Sequence, residues 1–116
     1  MAFNEPEKDA CLETLENEFW FHRRPPLDLR EQIREGQRIS GQSIELFFLR
    51  PAFNNPEEWI EDPITKITYV RSRDHWRIYW MRADLKWHRY PPDPEAKTLS
   101  AALRIIRKDE CACFFG

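Results

Sequence analysis

The spacing of hydrophobic residues changes along the chain, which separates helical ends from a strand-rich middle. Over residues Pro6 to Arg23 the apolar side chains recur at helical spacing, and this pattern predicts one amphipathic helix. Pro25 follows and predicts where that helix ends. A short second helix is predicted from Leu29 to Glu35, with Gly36 as its stop.

From residue 37 the period becomes two, which is typical of half-buried strands. Alternation predicts strands at Gln37–Ile39, Ser43–Arg50, Ile64–Arg71, His75–Arg82 and Leu85–Tyr90. Pro51 to Asp62 is predicted as a loop because it combines prolines, asparagines and acidic residues. The connections between consecutive strands around Gly41 and Arg73 are short, so neighbouring strands are predicted to run antiparallel.

A last helix is predicted near the C-terminus, capped by Asp93, with Pro94 in its first turn. Its apolar stripe consists of Leu99, Ala102, Leu103 and Ile106. The tail CACFFG is predicted as a short strand on the sheet edge. The fold class is therefore α+β: one domain over residues 1–116, a meandering antiparallel sheet of four to five strands, two N-terminal helices and one C-terminal helix.

Composition narrows the possible functions. The chain has 116 residues, enough for one core, and its three glycines form neither a GxGxxG nor a GxxxxGK motif. No GxSxG motif indicates a hydrolase. Cys111 and Cys113 lack the CxxC-type spacing of a structural zinc site and are predicted as packing residues. No cofactor and no metal are therefore expected.

The charges are distributed unevenly, although the net charge is only −2. Glu5 to Glu18 carries six acidic residues and one lysine. Thr68 to Tyr90 carries six basic residues against two acidic ones, and it also holds three of the five tryptophans and all three tyrosines. Such a basic, aromatic segment can contact phosphates, stack on bases or bind a protein partner.

The candidate binding surface comes from this segment. If Trp76, Ile78 and Trp80 face the core, the alternate residues of the same strand face outward. The predicted binding residues are Arg71, Arg73, Arg77, Tyr79, Arg82, Lys86, His88 and Arg89. The most favoured function is a non-enzymatic binding module for nucleic acid or a protein. The alternative is structural: the arginines cover tryptophan rings and pair with carboxylates elsewhere.

An enzymatic alternative uses Asp84, Lys86 and His88, which share one face if they lie on a strand. A carboxylate that orients a histidine beside a lysine can act as a general base, as in a metal-independent ribonuclease. Arg82 and Arg89 could then stabilise developing negative charge.

A third alternative is a homodimer in which the acidic first helix of one copy covers the basic segment of the other. The three cysteines are expected to be reduced thiols. The N-terminus shows no signal-peptide pattern, and no apolar run is long enough to span a membrane. A cytoplasmic location without membrane association is therefore expected.

Several short stretches of the sequence are similar to those of a known family: RPP, FFLRP, YVRS, WRIYW, RADLKWHRY and the closing CFFG. With them the chain resembles, over roughly residues 21 to 116, a family of small bacterial proteins known only as a domain of unknown function. The resemblance implies a bacterial cytoplasmic protein and no particular mechanism. The layout of two helices before an arginine-rich sheet is also similar to toxin ribonucleases, although those are strongly basic.

Overall fold

An antiparallel sheet forms the centre of the fold. The computed structural model describes residues 2–25, 28 and 32–115. Its strands are β1 Arg34–Ser40, β2 Ser43–Ala52, β3 Asn55–Val70, β4 His75–Met81, β5 Trp87–Arg89 and β6 Glu95–Ala96. Strands β1 to β5 neighbour one another in chain order, and β6 pairs with β4 beside β5. The predicted α+β class and the meandering topology are confirmed.

The N-terminal helix follows the prediction. Helix α1 spans Glu5–Leu15, continues as a π-helical turn, Glu16–Trp20, and ends as α2, Phe21–Arg23. Asn4 caps α1, because its side chain accepts a hydrogen bond from the Glu7 N–H at 2.9 Å and the Glu7 carboxylate accepts one from the Asn4 N–H at 3.0 Å. One continuous helical segment therefore reaches Arg23.

The predicted second helix, Leu29–Glu35, is not found where the chain is described. Residues 29–31 lie outside the described residues, and Arg34 and Glu35 already belong to β1. Strand pairing explains the difference, since Arg34 lies opposite Leu49 and Glu35 opposite Phe48 on β2.

The C-terminal helix begins later than predicted. Helix α3 spans Leu99–Lys108, and its cap is Thr98, whose hydroxyl accepts a hydrogen bond from the Ala101 N–H at 3.1 Å. The expected cap, Asp93, is wrong because β6 intervenes. The apolar stripe itself is buried as predicted. Residues 111–115 form no strand; instead Phe114 packs into the core 4.7 Å from the ring of Tyr90.

The segment predicted as a loop, Pro51 to Asp62, is a hairpin arm. Strand β2 runs on to Ala52, and β3 starts at Asn55, so only Phe53 and Asn54 form the turn. None of the other described strands flanks the arm, because β1 pairs with β2 only up to Leu49 and β4 pairs with β3 only between Lys66 and Val70. The arm therefore extends as a two-stranded ribbon beyond the sheet.

The two faces of the sheet have different roles. One face packs against the helices and contributes Ile44, Leu46, Ile67, Trp76 and Ile78 to the buried core, which the helices complete with Leu15, Phe19, Trp20, Leu103 and Ile106. None of the described helices covers the opposite face, to which the register assigns the alternate residues. We call it the outer face. The sequence left open which face of β4 is buried; in the structure Trp76, Ile78 and Trp80 point toward the core, so Arg77 and Tyr79 point outward.

Candidate functional site

Tyr79 lies at the centre of the outer face with cations on three sides. Across the strands, Lys66 of β3 and Arg89 of β5 lie directly opposite it. Arg77 precedes it by two residues on β4 and therefore shares its face. Directly opposed residues have Cβ atoms about 5 Å apart. We call Lys66, Arg77, Tyr79 and Arg89 the Tyr79 patch.

Two cations of the Tyr79 patch are free of ion pairs within the described part of the chain. Lys66 Nζ lies 6.0 Å from the centroid of the Tyr79 ring, at the limit of a cation–π contact. No described carboxylate lies within 4.0 Å of Lys66 or Arg77. Arg77 Nε is shielded from solvent, and no described group accepts a hydrogen bond from it. These two side chains can therefore bind an external anion without first breaking an internal pair.

The third cation of the patch, Arg89, forms an ion pair with a carboxylate. Arg89 donates a hydrogen bond to Glu95 at 3.0 Å, and the other oxygen of Glu95 lies 3.6 Å from His75 Nδ1. Glu95 reaches this position because β6 pairs it with Arg77. Arg89 is half-exposed, and an exposed pair of this kind contributes little to stability. An incoming phosphate can compete for it.

Apolar side chains extend the patch along the outer face. Met81 and Trp87 are cross-strand neighbours next to Tyr79 and Arg89. With Phe47 they border a shallow pocket of about 130 Å³. Phe47 lies flat on Gly36 of β1, where an added Cβ would meet the ring at 2.2 Å. Phe47 is itself buried, with Arg38 over its ring at 5.0 Å, so the apolar surface beside the patch is that of the half-buried Met81 and Trp87.

Two of the predicted binding residues lie away from the patch. Arg71 forms two hydrogen bonds with Glu7, at 2.9 and 2.8 Å, and joins the helix to the β3–β4 turn. The Arg71 hydrogen bonds lower the pKa of the Glu7 carboxyl from 4.5 to about 2. Arg73 is exposed in the same turn. Arg71 is therefore engaged by a carboxylate of its own chain and lies apart from the Tyr79 patch.

The remaining predicted residues surround the β4–β5 turn. Arg82 lies over the Trp80 ring, 5.7 Å from its centroid. Lys86 is exposed, and its backbone N–H donates to Asp84 at 3.0 Å. His88 pairs with Trp80 and therefore lies on the helix-covered side of the sheet. The eight residues thus divide among three places, and Arg77, Tyr79 and Arg89 are the ones brought together on the outer face.

Asp84 and His88 do meet, although not on one strand. Asp84 lies in the turn, where Leu85 has a φ of 62°, and β5 begins only at Trp87. Asp84 Oδ2 and His88 Nε2 are 2.8 Å apart. This hydrogen bond, with a second from the Lys86 N–H, lowers the pKa of the Asp84 carboxyl. A carboxylate–histidine pair is therefore present at the end of the hairpin.

The other potentially reactive groups in the part of the chain that the structure describes form no second site. Among the described residues, no cluster of three or more histidine, cysteine or acidic side chains could hold a metal ion. The three cysteines are free thiols. Burial and the nearby Cys111 thiol raise the pKa of Tyr90 to about 12, and burial raises the pKa of Cys113. Tyr90 and Cys113 are therefore protonated at neutral pH.

Lys66 was missing from the residues that the sequence predicts for binding. The alternating pattern that could identify it is present, because Lys66 precedes the buried Ile67 in a strand that the sequence does predict. What the sequence does not contain is the register that sets Lys66 opposite Tyr79. Glu95 was missed for a similar reason, since a two-residue strand leaves no periodic pattern.

The sequence matches a known protein family over almost its whole length. The match covers residues 3–116, and the family is described as a domain of unknown function, DUF3024. The chain belongs to this family. The expected likeness to an uncharacterised family is thereby confirmed, and the DUF3024 match begins earlier than residue 21. No curated protein and no solved structure matches the chain.

The DUF3024 description names no activity, substrate or partner, so a function has to be inferred from the outer face and the β4–β5 turn. Among the described residues, no helix is long and apolar enough to cross a membrane.

Proposed function

We propose that this DUF3024 domain is a binding module whose outer face holds single-stranded nucleic acid at the Tyr79 patch. One observation carries the proposal: Tyr79, half-buried on a face that none of the described helices covers, is flanked by three cations, two of which form no ion pair within the described residues. A nucleotide has the matching chemistry, since its base offers a flat face for stacking and its phosphate accepts charged hydrogen bonds.

The aromatic ring favours a single strand over a duplex. In a duplex the base faces are stacked on each other, whereas a single strand exposes them to aromatic side chains. Trp87 and Met81 extend the apolar surface beside Tyr79, so a second base has a place to lie. A purely acidic protein segment would satisfy the cations but leave these rings uncovered.

The net charge of −2 does not oppose this function. At physiological salt, charges separated by more than about 8 Å are largely screened. A strand bound at the patch therefore responds to Lys66, Arg77 and Arg89 far more than to the acidic first helix. The helix carboxylates are in part neutralised within the chain, since Glu7 pairs with Arg71 and Glu16 with Arg24.

The role of Tyr79 can be tested with two substitutions. Tyr79→Ser removes the stacking surface, and we expect the affinity for a labelled single-stranded oligonucleotide to fall about five- to 150-fold. Tyr79→Phe keeps the ring and should retain the affinity within about twofold. The binding would be measured by fluorescence anisotropy. The β3–β4 hydrogen bond from the Thr65 hydroxyl is to the backbone carbonyl of Tyr79, so neither variant removes it.

A polyanion without bases gives the control. The affinity for inorganic polyphosphate should be insensitive to Tyr79→Ser, because polyphosphate contacts the cations alone. Equal losses for both ligands in Tyr79→Ser would assign Tyr79 a structural role instead of a stacking role. Absence of nucleic-acid binding together with binding of an acidic protein segment would replace the proposed ligand with a protein.

The Asp84–His88 pair supports a second candidate, a metal-independent ribonuclease. The 2.8 Å hydrogen bond orients the imidazole, as a general base requires. If the chain cleaves RNA in the presence of a chelator, His88→Ala should abolish cleavage while circular dichroism shows an intact fold. Undiminished cleavage by His88→Ala would remove this assignment. We assign Lys86 no role in this reaction, because its backbone N–H donates to Asp84 while its side chain is exposed.

A further inference from the structure

The β2–β3 arm has an apolar side that faces the same way as the Tyr79 patch. Register places Leu49, Pro51 and Trp59 on the outer face beyond Phe47, and Arg34 lies over the Trp59 ring at 4.6 Å. At the tip of the arm, Phe53 is fully exposed. The apolar side chains therefore form a stripe that ends in an uncovered aromatic ring.

The arm also carries negative charge. Residues 50–63 contain four carboxylates and one arginine. Glu61 pairs with Arg38 at 2.6 Å and Asp62 with Arg50 at 2.7 Å. Glu57 and Glu58 have no ion pair with any described cation and lie close to Phe53 in the sequence. The unpaired charges of the arm are therefore two carboxylates.

Lys66 and Arg77 are the charges of the Tyr79 patch that have no ion pair with any described residue, so the arm and the patch are complementary. They cannot meet within one chain, because β3 runs without interruption from Asn55 to Val70. A strand rises about 3.3 Å per residue, which puts Glu58 about 26 Å from Lys66 along the same strand. The complementary surface must belong to another molecule.

We propose that two copies of this chain associate through their outer faces, with the arm of each lying on the Tyr79 patch of the other. A two-fold axis across the outer face makes both contacts at once, because the arm and the patch lie on the same side of one sheet. Phe53 and Trp59 then pack on the apolar surface of Met81 and Trp87. Glu57, which shares the face of Trp59 by strand alternation, meets Lys66 and Arg77, and Glu58 adds negative charge from the opposite face of the same strand.

This dimer differs from one formed through the acidic N-terminal helical segment. In that segment Glu16 already pairs with Arg24 of the same chain, and Glu18 pairs with Arg104 and Arg107. It depends on the exposure of the Tyr79 patch and not on its affinity for nucleic acid. Because the arm covers the patch, the dimer and the nucleic-acid complex exclude each other.

Sedimentation equilibrium without nucleic acid tests the proposal. The intact chain should approach twice 14.1 kDa as its concentration rises toward about 1 mM. The double variant Glu57→Lys with Glu58→Lys should remain at 14.1 kDa, and so should Lys66→Glu with Arg77→Glu, because each places like charges opposite each other. An equimolar mixture of the two variants should restore the dimer, since both contacts are then attractive again.

Two further variants make the result decisive. Asp9→Lys with Glu13→Lys introduces the same charge change on α1 and should leave the dimer intact. Phe53→Ser alters a fully exposed side chain, so the fold is retained, and it should weaken association at least about tenfold. A monomer at every concentration of the intact chain would overturn the proposal, and so would a mixture of the charge variants that stays monomeric. Dissociation caused only by the α1 variant would move the interface to the first helix.

Discussion

Replacing both Lys66 and Arg77 with alanine is expected to lower the affinity for single-stranded RNA or DNA by about 10- to 100-fold at ~50 mM salt. The two side chains are cations of the Tyr79 patch that form no ion pair among the described residues, although Glu45 lies across the strands from Lys66 and Glu95 from Arg77, so they can bind a phosphate without first breaking a pair. Each phosphate contact releases counterions, and the slope of log affinity against log salt should decrease by about 0.7 per lost contact. Anisotropy titrations at several salt concentrations measure both quantities.

A matched control lies on the other side of the molecule. Arg104→Ala with Lys108→Ala removes the same charge from α3, where Arg104 is 65% exposed. These substitutions should change the affinity less than about twofold, because α3 is on the helix-covered face and the charges are screened at that distance. Equal losses in the two double variants would indicate general charge attraction without a site on the sheet.

Phe19→Ala is expected to reduce the free energy of unfolding by about 3–5 kcal/mol. Phe19 is fully buried, lies edge-on to Trp20 at 4.8 Å and stacks on Phe115 at 6.2 Å. Its ring therefore joins the N-terminal helical segment to the C-terminal tail. Thermal unfolding monitored by circular dichroism should show the transition lowered by roughly 10–25 °C.

Phe53→Ala removes the same ring from a fully exposed position and serves as the control. At low protein concentration its free energy of unfolding should stay within about 0.5 kcal/mol of that of the unaltered chain. A small effect of Phe19→Ala would mean that the helix does not pack on the core as described. A large effect of Phe53→Ala in the monomer would mean that the tip of the arm is covered within its own chain.

The alternation of β4 was sufficient to divide its residues between two faces, but not to show which of the two faces is buried. Trp76, Ile78 and Trp80 alternate with Arg77 and Tyr79, and a strand places successive side chains on opposite faces. The same reasoning gave the stripe of the last helix and the long N-terminal helix. In each of these cases a repeated local pattern agreed with the tertiary packing that buries it.

The arm was wrongly predicted as a loop because its composition resembles one. Pro51 and Pro56, with the asparagines and acidic residues of the segment, lower its strand propensity. In the structure the segment belongs to a two-stranded arm, and the edge of β3 that faces away from β2 has no described partner strand there. Prolines and charges are tolerated at such an edge, where they discourage unwanted pairing. Composition alone does not separate a protected edge from a loop.

The arrangement of the candidate site could be predicted only in part. Sequence identifies a basic aromatic segment, but it does not show that Arg71 is committed to Glu7, 64 residues away along the chain. Nor does it show that β3 contributes Lys66 opposite Tyr79. Both facts depend on long-range register and packing, which a single periodic segment does not encode.

The central claim is that the outer face binds single-stranded nucleic acid. Its most direct test is an anisotropy titration of the unaltered chain with labelled single-stranded RNA and DNA at ~50 and ~200 mM salt. The structure leads us to expect micromolar or tighter binding at the lower salt concentration and clear weakening at the higher one. Absence of binding at low salt would contradict the claim and leave self-association or a protein partner as the use of the Tyr79 patch.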